Sequence, residues 1–170
     1  MIGRVGILTD YFIAGSDEEA AATIDWVGGP AAGPDEAPRR RLLGRKPVAS
    51  GRPLPTMRSK GIEPVVQLGQ LEGQLTGRTF REVLADAGDT TVAVRGGGER
   101  IVLRVNPRLA ELLAASTDEE LEAAAGPWSG IEEFYGAGDP EVLGSFLVEL
   151  AALARRAADE SGHVYCWICV

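Results

Sequence analysis

The chain has 170 residues, of which 45% are hydrophobic and 25% are charged, a composition that fits one globular domain large enough to bury a core. A net charge of −8 at pH 7 disfavours nucleic acid and anionic membranes as partners. With two cysteines, three positions apart, the chain cannot build the disulfide framework of a small secreted domain.

The beginning of the chain carries no targeting pattern. Its first twenty residues hold one arginine, and the apolar run over 5–8 ends at Thr9 and Asp10. A signal peptide needs a longer apolar stretch, and a membrane span needs about 20 such residues. We therefore expect a cytoplasmic protein without a membrane span.

The first third of the chain predicts one helix and one long loop. Ser16 is a helix-capping residue with Glu19 in the capping-box position, and a helix is predicted over 17–27. A Gly-Gly-Pro sequence ends it, because proline cannot continue a helix. From 28 to 61 follows a stretch rich in proline and glycine, which is far longer than a usual connection.

That loop is strongly basic. Eight of the seventeen basic residues lie between 39 and 60 without one acidic residue, so this segment carries +8 and the rest of the chain −16. Clustered arginines bind anions, and the candidate contacts for an anion or a partner are Arg39, Arg40, Arg41, Arg45 and Lys46. A loop that folds back on the acidic surface of the same protein is the alternative.

The middle of the chain predicts two helices and a hairpin. Apolar residues spaced by three or four from Val65 to Leu75 indicate a helix with Pro64 in its first turn. Thr79 caps a second short helix. Two runs rich in β-forming residues flank three glycines at 96–98, which predicts a hairpin at about 90–105.

The second half is mainly helical. Asn106 and Thr117 each cap a helix, and a short helix or turn is predicted at 127–136. The clearest helix has Asp139 as its cap and ends at Gly162, with one wide apolar face that must be buried.

The final segment, HVYCWICV, holds the only histidine and both cysteines. Residues 164–170 are apolar throughout, which predicts a central strand buried on both faces. In a strand Cys166 and Cys169 point to opposite faces, too far apart for a disulfide. A zinc site would require His163 and both thiols to curl around one ion, and no further Cys or His could complete it. We predict structural thiols, no metal and no cofactor.

Three residues are candidates for a pocket beneath the basic loop. Glu132 lies near Trp128, and an apolar environment of this kind raises a carboxyl pKa. Tyr11 and Asp10 stand in an apolar opening, where they are predicted to form a buried polar pair with a structural hydrogen bond. The predicted pocket residues are therefore Tyr11, Trp128 and Glu132, and no catalytic residue is predicted.

Three stretches carry a resemblance to a known family: LTDYF (8–12), KGIEPVVQLGQL (60–71) and the closing LARRAADESGHVYCWICV (153–170). The chain resembles a family of small uncharacterised proteins from high-GC Gram-positive bacteria. The resemblance implies an intracellular bacterial protein, and because the family is uncharacterised it carries over no catalytic or ligand residues to this chain. Because the opening and closing stretches are its marks, we hypothesise that they pair as neighbouring strands.

Together these patterns predict a single α+β domain over 1–170, mostly helical with a small sheet. The leading functional hypothesis is a non-catalytic binding protein that acts through a protein partner, as an inhibitor or immunity protein does. The alternative is a domain that binds a small molecule or anion, or an enzyme, with a pocket under residues 39–60.

Overall fold

The computed structural model describes residues 7–34 and 52–170, which form six α-helices and a five-stranded antiparallel sheet. The strands are β1 (Leu8–Ala14), β2 (Thr56–Met57), β3 (Thr91–Arg95), β4 (Arg100–Arg104) and β5 (His163–Cys169). The α-helices are α1 (Asp17–Ala22), α2 (Gln67–Thr76), α3 (Phe80–Ala87), α4 (Pro107–Ala115), α5 (Asp118–Ser129) and α6 (Pro140–Asp159). The predicted α+β class is confirmed.

The sheet is built around the closing strand. Its order is β2-β1-β5-β4-β3, so β5 lies in the centre, as its unbroken apolar sequence predicts. The strands β1 and β5 pair antiparallel along their full length, with Phe12 directly opposite Tyr165. The hypothesis that the two ends of the chain are neighbouring strands is confirmed, and the predicted hairpin is β3 and β4.

The two faces of the sheet are covered differently. One face, with Tyr11, Ile13 and Cys166, packs against the helices α2, α4, α5 and α6 in the main hydrophobic core. The other face, with Phe12 and Trp167, packs in a smaller cluster that includes residues of α1 and of the short 3-10 helix after it. Because side chains alternate along a strand, successive residues within β1, and within β5, belong to different clusters.

The predicted caps form, while three helix boundaries differ. The predicted helix over 17–27 was too long, because α1 ends at Ala22 and a 3-10 turn follows. Helix α2 begins at Gln67 rather than at Pro64, since the Glu63 carboxylate accepts backbone N–H groups of the next residues and holds Pro64 in a preceding turn. Helix α5 extends to Ser129, into the first three residues of the segment 127–136, and the predicted short helix in that segment is the 3-10 helix Glu132–Phe134.

The end of the predicted loop over 28–61 belongs to the sheet. Strand β2 lies within it, and the backbone N–H of Ile13 donates to the carbonyl of Pro55 at 3.0 Å. Within the described ranges, no helix has both the length and the apolar character that crossing a bilayer requires.

Candidate functional site

The aromatic residues predicted for a pocket lie in the core. Tyr11 and Trp128 are fully buried, and both rings pack against Phe146. The Tyr11 hydroxyl donates to the carbonyl of Ile62 at 2.7 Å, and the Trp128 indole N–H donates to the carbonyl of Gln67 at 2.9 Å. Their polar atoms are therefore satisfied by backbone acceptors, and the two side chains have a structural role.

The other predicted candidates do not join them. Glu132 is exposed, in a 3-10 turn after α5. The anion-contact residues Arg39, Arg40, Arg41, Arg45 and Lys46 lie outside the described residues. Asp10 is buried, but it lies on the opposite face of β1 from Tyr11, so the two do not form the predicted pair.

The closing segment is an extended strand, and its three potential metal ligands do not converge. Cys166 is buried on the helical face, whereas Cys169 packs against the smaller cluster on the other face. Both thiols are free. Across residues 7–34 and 52–170, no three His, Cys, Asp or Glu side chains come together as a metal site would need.

A cleft of about 690 Å³ opens on the face of the sheet that carries Trp167, where β1 begins and β5 ends. This volume is within the range of about 300–1,000 Å³ that small-molecule pockets occupy. The residues that give the cleft its chemistry are Leu8, Asp10, Arg58, Lys60, Trp167 and Cys169.

Strand pairing positions these side chains. Register between β1 and β5 places Asp10 opposite Trp167 and Leu8 opposite Cys169, and directly opposed residues point to the same face. The segment after β2 runs antiparallel to β1, with a bridge between Leu8 and Lys60. Residues from the stretches 8–12, 60–71 and 153–170 therefore meet at this end of the sheet.

Asp10 is a buried acid at the floor of the cleft. Asp10 is 6% exposed, and burial raises the pKa of its carboxyl above the ordinary value. The backbone N–H of Ser59 and the charge of Arg58 act in the opposite direction without cancelling that effect. Among the described residues, Asp10 has no ion pair within 4.0 Å.

Trp167 brings an unused donor to the same floor. The residue is 5% exposed, and its indole N–H is buried without an acceptor in the described part of the chain. The backbone of Gly29 covers the ring so closely that a Cβ there would lie 3.4 Å from it, and Gly29 also has a φ of +74°. A buried donor without a partner costs about 1–3 kcal/mol.

The rim of the cleft is cationic. Arg58 and Lys60 are exposed and, within the described ranges, take part in no ion pair. Other arginines pair with acids, as Arg95 does with Asp25 at 3.3 Å. The cleft thus combines two cationic side chains at its rim with the buried Asp10 and the ring of Trp167, whose N–H has no acceptor among the described residues.

Two other cavities lack this combination. A groove of about 550 Å³ between α4 and α6 is lined mainly by alanine, with His163 at its edge. Glu72 is a second buried acid, to which the Asn106 amide donates at 2.7 Å, but the space beside it is about 40 Å³. Such a volume suits a water molecule rather than a ligand.

Comparison of the chain with protein-family models, with curated proteins and with solved structures finds no match. The assignment of this site therefore depends on its geometry. Sequence reasoning missed Trp167 as a site residue. The signal that was present is the predicted pairing of the opening and closing stretches, while the register that places Asp10 opposite Trp167 comes from the structure.

Proposed function

We propose that the protein binds a small anionic molecule in the cleft between the start of β1 and the end of β5. One observation carries the proposal: Arg58 and Lys60, which have no ion pair in the described part of the chain, face a cavity of ligand size with a buried polar floor. Arginine and lysine are the side chains that grip carboxylates and phosphates.

The floor supports the same chemistry. The ring of Trp167 lines the cleft, and its buried indole N–H has no acceptor in residues 7–34 and 52–170, so its NMR signal is sensitive to what binds beside the ring. Leu8 and the indole ring supply apolar contact area beside the charges. A few convergent polar groups in a partly apolar concavity are typical of a small-molecule site. The earlier hypothesis of a protein partner stays a prediction.

The test is an NMR titration of the indole N–H signals. The chain has three tryptophans, so a ¹H–¹⁵N spectrum should show three indole cross-peaks, of which that of Trp167 is assigned with W167F. Acetate and inorganic phosphate are added against chloride at constant ionic strength. We expect a saturable shift of the Trp167 signal, while the Trp128 signal stays in place because its N–H already donates to a buried carbonyl.

Charge-removing variants locate the binding. The double variant R58Q/K60Q should weaken anion binding by about tenfold or more, because a hydrogen bond to a charged group contributes about 1.5–3 kcal/mol. The control R81Q removes an exposed arginine from α3, away from the cleft, and should leave the affinity unchanged. A Trp167 signal that never saturates, or equal affinities in the two variants, would contradict the proposal.

A further inference from the structure

The buried acid of the cleft is not explained by anion binding alone. The neighbours of Asp10 on the same face of β1 are Leu8 and Phe12, both apolar, and the residue opposite is Trp167. An apolar side chain at position 10 would suit such surroundings. The charge of Arg58 only partly offsets burial, and a buried carboxylate that no cation contacts directly is costly to the fold.

The charges of the cleft are also separated. The carboxyl lies at the buried floor, while the guanidinium and ammonium groups of Arg58 and Lys60 lie at the exposed rim. In the described part of the chain neither cation approaches Asp10 within the 4.0 Å of an ion pair. The cleft therefore offers an acceptor for a positive group inside and donors for a negative group outside.

We infer that the ligand is zwitterionic, an α-amino acid with an apolar side chain whose ammonium group binds Asp10 and whose carboxylate binds Arg58 and Lys60. This inference depends on the proposed function and makes it specific. Leu8 and the Trp167 ring form the apolar surface against which the ligand's side chain packs. An ammonium group at Asp10 would form the direct ion pair that no described cation makes with this carboxyl.

The experiment compares three molecules that share one carbon skeleton. Leucine carries both charges, 4-methylpentanoate lacks the amine, and 3-methylbutylamine lacks the carboxylate. Binding of each is measured by the shift of the Trp167 indole signal, in the wild type and in D10N, which keeps the size of the side chain. D159N removes an exposed acid at the end of α6 and serves as the matched control.

We expect leucine to bind about tenfold or more tightly than either truncated molecule, since each lost charge-assisted hydrogen bond costs at least about 1.5 kcal/mol. D10N should weaken leucine about tenfold and leave 4-methylpentanoate unchanged or tighter, while D159N changes neither affinity. Thermal melts of D10N confirm that it is folded.

The outcomes separate the two claims. If leucine, 4-methylpentanoate, acetate and phosphate all fail to bind, the proposed function is wrong, and this inference with it. If acetate or phosphate binds but leucine does not, only the zwitterionic ligand is wrong. If 4-methylpentanoate binds as tightly as leucine or more so, or if D10N leaves the preference for leucine intact, anion binding stands and the zwitterionic ligand is wrong.

Discussion

Replacing Asp10 by asparagine should stabilise the protein at neutral pH. The side chain is 6% exposed and burial raises its pKa, which means that the folded state disfavours the ionised form. D10N removes the buried charge and keeps an oxygen that can accept the Ser59 N–H. Because burial disfavours the charge that D10N removes, we expect the unfolding free energy to rise by on the order of 1 kcal/mol at pH 7.

The sign of the pH dependence follows from linkage. An aspartate whose folded pKa lies above the unfolded value of about 3.9 destabilises the fold at neutral pH, and this penalty disappears as pH falls towards the unfolded value. The difference in unfolding free energy between D10N and the wild type should therefore be largest at pH 7–8 and smaller at pH 5. The groups that face Asp10 are Arg58, Lys60 and Cys169.

Urea denaturation at the two pH values measures this difference directly. For a chain of this length, a change of 1 kcal/mol corresponds to a shift in Tm of roughly 2–4 °C. D159N should change stability by no more than about 0.5 kcal/mol. If D10N is less stable than the wild type at pH 7, Asp10 has a stabilising partner in the fold, and its role in ligand binding loses its physical basis.

Two further predictions test the packing around the sheet. Y11F removes the hydroxyl that donates to the carbonyl of Ile62 at 2.7 Å, and should cost about 1–2 kcal/mol in urea denaturation, whereas Y135F, at a residue 92% exposed, should cost nothing measurable. Equal effects would refute the buried hydrogen bond. A Cβ at Gly69 would lie 2.7 Å from the ring of Phe80 in α3, so G69A should lower the unfolding free energy by about 1–3 kcal/mol and lower Tm accordingly. A Cβ at Gly144 in α6 would meet its nearest atoms at 3.5 Å, an ordinary van der Waals distance, so G144A should raise Tm, and a rise in both variants would contradict the observed packing of α2 on α3.

Sequence patterns predicted the elements best where local chemistry decides them. Thr79 and Thr117 form the reciprocal hydrogen bonds of a capping box, and Asp139 caps α6 through two backbone N–H groups, as their positions indicate. The glycines at 96–98 adopt the positive φ values of a tight connection. These features depend on residues a few positions apart, so one sequence is enough to find them.

Strand β2 and the start of α2 were harder to predict. Strand β2 has only two residues, and it exists because its backbone pairs with β1, more than forty residues earlier. The start of α2 depends on the carboxylate of Glu63, which accepts the backbone N–H of Val66. Glu63 lies three positions before Val66, the residue at the cap position of α2. Both are decided by contacts that periodicity does not report.

The candidate site shows the same limit. Tyr11 and Trp128 are aromatic residues near polar ones, and sequence alone does not distinguish a pocket wall from a core residue with a satisfied hydrogen bond. The position of Asp10 beside Trp167 requires the register of β1 on β5. The pairing of the opening and closing strands was predicted, but the register that places Asp10 and Trp167 together in the cleft comes only from the structure.

The most direct test of ligand binding in the cleft is a crystal structure of the protein grown with leucine. The account predicts electron density for the amino acid beside Trp167, with its carboxylate at Arg58 and Lys60 and its ammonium group at Asp10. Density for leucine elsewhere on the protein, or a cleft from which protein side chains exclude it at saturating leucine, would contradict the account.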